Sequence, residues 1–240
     1  MTVVPYKDQE TSKKEQVAQM FDNISHRYDF LNHTLSLGID RIWRKKAIRL
    51  LEPDKPKVIL DIATGTGDFA IESLRLDPDQ VIGVDISAGM LEVGREKLKK
   101  RNLDERIELK LGDSEGLEFP ENKFDAVIVA FGVRNFEHLE EGLADMYRVL
   151  KSGGKVVILE FSRPTMFPLK QLYNFYFRWI LPKIGRIISK DQSAYTYLPE
   201  SVNAFPDGEN FLNILRKLGY KDVKATRLMG GIATIYQGIK

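Results

Sequence analysis

A chain of 240 residues with 43% hydrophobic and 29% charged residues is long enough for one sizeable core, and a single domain over residues 1–240 is expected. Thirty-six basic against 34 acidic residues leave a net charge of only +2, so the overall balance gives no argument for a nucleic-acid partner, and the absence of Cys excludes disulfide and thiolate chemistry. The N-terminal MTVVPYKDQETSKKEQ lacks the apolar core of a signal peptide, and no stretch approaches the ~18 apolar residues of a spanning helix; a cytoplasmic protein, soluble or peripheral, is expected.

In chain order, a helical leader over about Lys13 to Leu51 comes first; within residues 1–51 it is expected to serve as a lid. Short β-rich runs follow at VIL (58–60), VIGVD (81–85), IELKLGD (107–113), FDAVIVAFG (124–132) and KVVILEFS (155–162). Between them lie helical patterns near Asp68 to Leu76, Ala88 to Lys100 and Leu139 to Leu150. This alternation is the signature of βαβ units, so the fold class is α/β, doubly wound, with a mostly parallel sheet. After a helical pattern at Glu209 to Leu218, KDVKATRL (221–228) and ATIYQGI (233–239) are joined by a link containing Gly230 and Gly231, which predicts a C-terminal antiparallel hairpin at one end of the sheet.

The stretch DIATGTGDFA (61–70) carries the chemistry. Gly65, Gly67 and Ala70 satisfy G-x-G-x-x-G/A between a strand and a helix, and Asp85 closes the next strand about 20 residues on, as a ribose ligand should. That pattern alone leaves a nicotinamide enzyme or a nucleotide-binding module open. Asp61 and Asp68, however, flank the place where a pyrophosphate would rest on backbone N–H groups, and two carboxylates around a doubly charged anion are electrostatically costly. S-adenosylmethionine, with a sulfonium and an ammonium group but no phosphate, suits the same turn: Asp61 attracts the cations while Gly65, Thr66 and Gly67 let the backbone approach. Asp85 is then placed for the ribose hydroxyls, and Asp113 and Ser114, ending the third strand, for the adenine amine. The plain alternative, Asp as a turn or helix cap, weighs more for Asp68 than for Asp61.

The order DIATGTG, GVD, GDSEGLEFPENKFD and RVLKSGGKVVILEFS resembles class I S-adenosylmethionine-dependent methyltransferases, whose sheet is Rossmann-like. Two longer segments, YDFLNHTLSLGIDRIW (28–43) and FGVRNF (131–136) followed by RVLKSGGKVVILEFS (148–162), resemble the quinone-biosynthesis C-methyltransferases of the menaquinone and ubiquinone pathways. Asp40 stands where many members of that family have His, Ser152 replaces a common Pro, and Ala130 stands where some members carry Ser. The resemblance implies methyl transfer to a ring carbon of a demethylated isoprenoid quinol, with S-adenosylhomocysteine as the second product and no metal. A benzoquinol ring in place of a naphthoquinol, or a soluble phenol or sterol, are the alternatives.

For the ring, Arg134 and Asn135 follow the fourth strand at the ligand-binding end, where a guanidinium can hold a developing phenolate and an amide can orient the second hydroxyl. Tyr28 and Asn32, four apart, share a helical face that can fold over the cofactor; His33 is a weaker candidate base. His26, His33 and His138 show no metal-ligand spacing. Residues 163–205 form an expected helical insertion near the substrate pocket. From Phe161 to Lys190 there are six basic residues, seven aromatic residues and no acid. Leu169, Leu172, Tyr173, Tyr176, Phe177 and Ile180 recur at helical spacing, with Lys170, Arg178, Lys183 and Arg186 among the bases. Such a helix either buries its stripe in the domain or meets an anionic membrane surface, peripherally and weakly, at the inner face of the membrane. A homo-oligomer is left open.

Overall fold

The computed structural model describes residues 3–36, 38–175, 179 and 193–240, and the side chains of 30–35, 174 and 195 are not among what it describes. The expectations on Asn32 and His33, and those on Tyr176, Phe177, Arg178, Ile180, Lys183 and Arg186, therefore lie outside the described residues.

Strands β1 (Val58–Ile62), β2 (Gln80–Asp85), β3 (Ile107–Leu111), β4 (Phe124–Ala130), β5 (Leu150–Phe161), β6 (Lys221–Leu228) and β7 (Ala233–Ile239) form one sheet in the order β3-β2-β1-β4-β5-β7-β6. β1 to β5 pair in parallel, and β7 runs antiparallel to both β5 and β6. The hairpin is therefore added at the sheet end, with its second strand inserted against β5. The chain moves outward from β1 to β3 and then returns to β4 on the other side of β1. That reversal opens a crevice above the carboxyl ends of β1 and β4, where open α/β sheets bind ligands.

Alternation along each central strand sends side chains into two cores. Leu60 and Ile62 of β1 and Val127 and Val129 of β4 face one core, which is closed by α5 (Leu139–Val149) and by a helix at Glu209–Lys217. Ile59, Ala126 and Ile128 face the other, closed by α2 (Ile39–Arg49), α3 (Asp68–Ser73) and α4 (Ala88–Lys100). Being covered on both faces explains why these strands are near-continuous apolar runs. Burying each Leu, Ile or Val is worth about 1.5–3 kcal/mol, enough to fix the register against a slip that would reverse both faces.

The leader is two helices, α1 (Lys13–Leu35) and α2, broken before Ile39 by Gly38 at φ 75. β5 begins at Leu150 rather than at Lys155, as the apolar pattern suggested. Ser152-Gly153-Gly154 is a bulged part of the strand: the register slips between Phe124↔Leu150 and Ala126↔Lys155, and Lys240 exchanges 3.0 Å hydrogen bonds with Gly153 and Gly154. A Cβ at Gly154 would stand 2.8 Å from the Lys151 carbonyl, so only glycine lets the chain through. In the insertion, α6 (Leu169–Phe175) and α7 (Ser193–Ala204) are helical; α8 (Glu209–Lys217) follows.

Candidate active site

The turn after β1 is built on two left-handed glycines. Gly65 has φ 56 and Gly67 φ 83, and the Gly67 N–H closes the turn on the Thr64 carbonyl at 2.9 Å. Below it, Asp61 is fully buried, and its Oδ2 accepts the Thr64 hydroxyl at 2.6 Å. Its Oδ1 is buried without a hydrogen bond of ordinary geometry. Burial pushes the Asp61 pKa up to about 7, against the Thr64 hydroxyl, the Ala70 N–H and the Arg44 guanidinium, which lower it. At the end of β2, Asp85 accepts the Gly65 N–H at 2.7 Å and the Ser87 N–H at 2.9 Å, so one carboxylate holds the glycine turn and the start of α4 together. Burial also raises its pKa, to about 6.

A half-open cleft of about 640 Å³, its mouth included, extends from this turn. Gly65, Asp85, Asp113, Ser114, Tyr28 and Asn135 line it, all of them expected from the sequence. Asp61, Thr66 and Gly67 lie beneath or beside the lining. The Thr66 hydroxyl is used elsewhere: it donates to Asp29 of α1 at 2.5 Å and accepts from Lys97 of α4 at 2.8 Å. Lys97 also bonds Asp68 at 2.9 Å, so Asp68 belongs to a charge network and not to the ligand surface. Met90, Ile86 and Phe136 supply apolar walls. The floor stays open because its residues are small: a Cβ at Gly132 would lie 2.5 Å from that of Ala63.

Helix α1 forms the wall that faces away from the sheet. Lys14, Val17, Phe21 and Tyr28 line the cleft at spacings of three, four and seven, one face of a helix. Polar contacts at several points hold it there. Lys14 pairs with Asp113 and reaches Glu115 at 3.4 Å; Lys13 donates to the Phe136 carbonyl at 2.7 Å; Asp22 accepts the Ser87 hydroxyl at 2.6 Å and the Gly89 N–H at 2.9 Å. Asp113 thus stands where the sequence placed it, with a lysine already on one oxygen.

Arg134 and Asn135 divide. Asn135 lines the cleft with its Oδ1 buried and unbonded. Arg134 does not line it. Its guanidinium bonds the fully buried Glu160 of β5 at 3.0 Å and the Phe131 carbonyl, and lies 5.5 Å from the Phe161 ring centroid. The expectation of an arginine facing the ring meets an arginine neutralising a buried acid, the one cation paired with Glu160 among the described residues.

Residues 9–240 match the ubiE/COQ5 methyltransferase family. This chain belongs to that family. It is 53% identical to a demethylmenaquinone methyltransferase of Bacteroides fragilis over 239 residues, 99% of this chain and 97% of the relative. It is 46% identical to the ubiquinone/menaquinone biosynthesis C-methyltransferase UbiE of Geobacter sp. strain M21, over 96% of this chain and 98% of the relative. In fold it resembles an S-adenosylmethionine-dependent methyltransferase of Thermotoga maritima, with a TM-score of 0.64 at 18% identity, covering 92% of this chain and 98% of the other.

Within this methyltransferase, Asp40 is buried, accepts the Ser36 hydroxyl at 2.5 Å and pairs with Arg44, which reaches Asp68 at 3.7 Å. It secures α2 to the start of α3 and does not line the cleft. Ala130 does line it, and offers no side-chain hydrogen bond there. Lys14, Val17 and Phe21 are cleft residues that the reading of strand ends missed. Their signal is the helical spacing of Lys14, Val17, Phe21 and Tyr28 along α1.

Proposed function

We propose that this methyltransferase acts on a ring carbon of a demethylated isoprenoid quinol, a naphthoquinol in the first place, through the cleft between α1 and the ends of β1, β2 and β4. The carrying observation is Asp61, a fully buried acid beneath the turn on which a dinucleotide would rest its phosphate, in a chain 53% identical to a demethylmenaquinone methyltransferase. Asp61 disfavours NAD, whereas Asp85 would serve the ribose of either ligand. The enzyme is S-adenosylmethionine-dependent, and when bound this cofactor supplies the electrophilic methyl group and leaves as S-adenosylhomocysteine. The residues present fit it: the unbonded Asp61 Oδ1 faces a cationic need, Asp85 keeps lone pairs for two ribose hydroxyls, and Met90 and Ile86 offer apolar faces to the adenine. Asp113 and Ser114 read the adenine amine, and Gly65, Thr66 and Gly67 set the distance of the turn.

Aromatic carbon becomes nucleophilic as the neighbouring ring hydroxyl gives up its proton. The enzyme's part is to align the ring, exclude water and stabilise the growing negative charge. Asn135 orients one ring hydroxyl, Arg134 contributes positive potential through its turn, and Tyr28 closes the cleft with α1 as a lid. Phe21 and Tyr28 pack edge to face at 5.8 Å, which stiffens that lid.

The substrate's tail brings the enzyme to a lipid surface on the cytoplasmic side. Among the described residues no helix is long and apolar enough to cross a membrane. Yet Phe167 is 80% exposed, and Leu172, Phe175 and Trp179 are more than half exposed beside Lys170. An apolar group of this kind next to bases suits anionic lipid. One assay tests both levels: demethylmenaquinol in vesicles containing anionic lipid, mixed with enzyme and S-adenosylmethionine. The product gains one methyl by mass, and the enzyme sediments with the vesicles at low salt and less at high salt. No methylated quinol refutes the substrate; salt-independent or absent sedimentation with full methylation refutes only the surface.

The raised Asp61 pKa gives a second expectation. The charged form attracts the cofactor cations, so affinity should climb as pH rises through about 6 to 8 and level off above, since the protonated carboxyl populated at lower pH offers no charge. Asp61→Asn should bind weakly and lose the rise centred near pH 7, keeping only the lower step that Asp85 contributes near 6. Calorimetry across that range decides, and a flat wild-type profile removes Asp61 as the counter-charge.

A further inference from the structure

Three buried polar atoms without a hydrogen-bond partner lie on the 133–135 turn and on the helix packed against it. Two are Arg134 Nε and Asn135 Oδ1; the third is the hydroxyl of Tyr197, on α7. Tyr197 is 2% exposed. Its helix packs against the 133–135 turn, and its ring joins Val17 and Met20 of α1 in a small cluster, Val17 itself lining the cleft. The charges of Arg134 and Glu160 both act on its phenol. A single unbonded group in a folded interior is unremarkable in number, but each has a reason, and two on elements packed together, Asn135 Oδ1 and the Tyr197 hydroxyl, point to a shared occupant.

We propose that the Tyr197 hydroxyl is a ring-binding group of the active site, donating a hydrogen bond to the quinol oxygen that loses its proton while Asn135 Oδ1 accepts from the other hydroxyl. This rests on the quinol reading and deepens it. The donor and acceptor pair matches that species: Tyr197 donates and Asn135 Oδ1 accepts, as a quinol monoanion with one oxyanion and one hydroxyl requires. An oxidised ring has only acceptors and would leave Asn135 Oδ1 unbonded, so the same two groups favour the reduced ring. Burial pushes the phenol pKa up to about 12, which keeps Tyr197 a donor through the neutral range and excludes it as the base. Tyr197 lies behind the cleft lining and does not itself line it, so the ring reaches it by a shift of α7. Its hold on α1 is a satellite cluster of three buried side chains, far smaller than either main core, so parting α7 from the turn is a local opening and not a global one.

Tyr197→Phe removes only the oxygen. The expected result is a fall in kcat of about a hundredfold, the scale set by deleting one donor to a developing oxyanion. The dissociation constant for S-adenosylmethionine should not change, KM should change little, and the melting temperature should stay level or rise because an unbonded polar atom has left the interior. Tyr220→Phe is the contrast: its hydroxyl is bonded to the Leu143 carbonyl at 3.1 Å, away from the cleft, so it should lose stability and keep kcat. A kcat for Tyr197→Phe within twofold of wild type, or a melting loss matching that of Tyr220→Phe, overturns the proposal. Wild-type enzyme inactive on demethylmenaquinol overturns the quinol reading and this proposal together, whereas active wild type with an unaffected variant overturns the role of Tyr197 alone.

Discussion

Asp85→Ala is expected to weaken S-adenosylmethionine binding by two orders of magnitude or more while the protein remains folded. The carboxylate does two things at once. It ties Gly65 and Ser87 by their N–H groups, at 2.7 and 2.9 Å, and it presents its remaining lone pairs to the cleft. Hydrogen bonds to a charged acceptor are worth about 1.5–3 kcal/mol each. Losing two to the ribose therefore costs about 3–6 kcal/mol, or roughly a hundredfold to ten-thousandfold in affinity at about 1.4 kcal/mol per decade. Stability should change little, because the lost backbone bonds are offset by removal of a carboxyl whose pKa burial has already raised to about 6. The measurement belongs at pH 8, where the wild-type group is ionised. Asp85→Asn should fall between the two, keeping one acceptor oxygen. A dissociation constant for the alanine variant within threefold of wild type would remove Asp85 from the ribose site.

The five parallel strands and the hairpin were legible because strands buried on both faces must be apolar throughout, and because loops between such elements are short. The acids at strand ends were legible for a related reason: Asp61 and Asp85 each interrupt an apolar run where the chain leaves the sheet, and Asp113 follows the end of the third strand. What the sequence concealed was long-range charge. Nothing local tells that Lys14 will meet Asp113, or that Thr66 will be spent on Asp29 and Lys97. Glu160 was partly readable. It shares the period-two face of Val156 and Ile158, both in the core, and an acid on a buried face needs a cation. Following that need would have led to Arg134.

Arg134→Ala should then be read first as a stability experiment. Glu160 is fully buried, and burial already raises its pKa against the pull of the Arg134 guanidinium and the Phe161 and Arg134 N–H groups. Removing the guanidinium strands a carboxylate in the interior, which typically costs about 3–5 kcal/mol. For a chain of this size that is roughly a 10 °C fall in melting temperature, at about 2–4 °C per kcal/mol. The deficit should depend on pH with a definite sign. A carboxyl whose folded pKa is raised holds its proton longer in the native state than in the unfolded chain, so stability is lost as pH rises above the ordinary glutamate range. Arg134→Ala should therefore lie closer to wild type at pH 5 than at pH 8. Adding Glu160→Gln removes the stranded charge and should restore part of the loss and flatten the pH dependence. Turnover in that double variant separates the two roles of the arginine: stability regained with kcat regained makes Arg134 a counter-ion only, and stability regained with kcat still low shows that its positive charge also acts on the ring through the 133–135 turn. A single variant as stable as wild type at pH 8 would mean that Glu160 finds another partner, and the buried-pair account of this turn would fall.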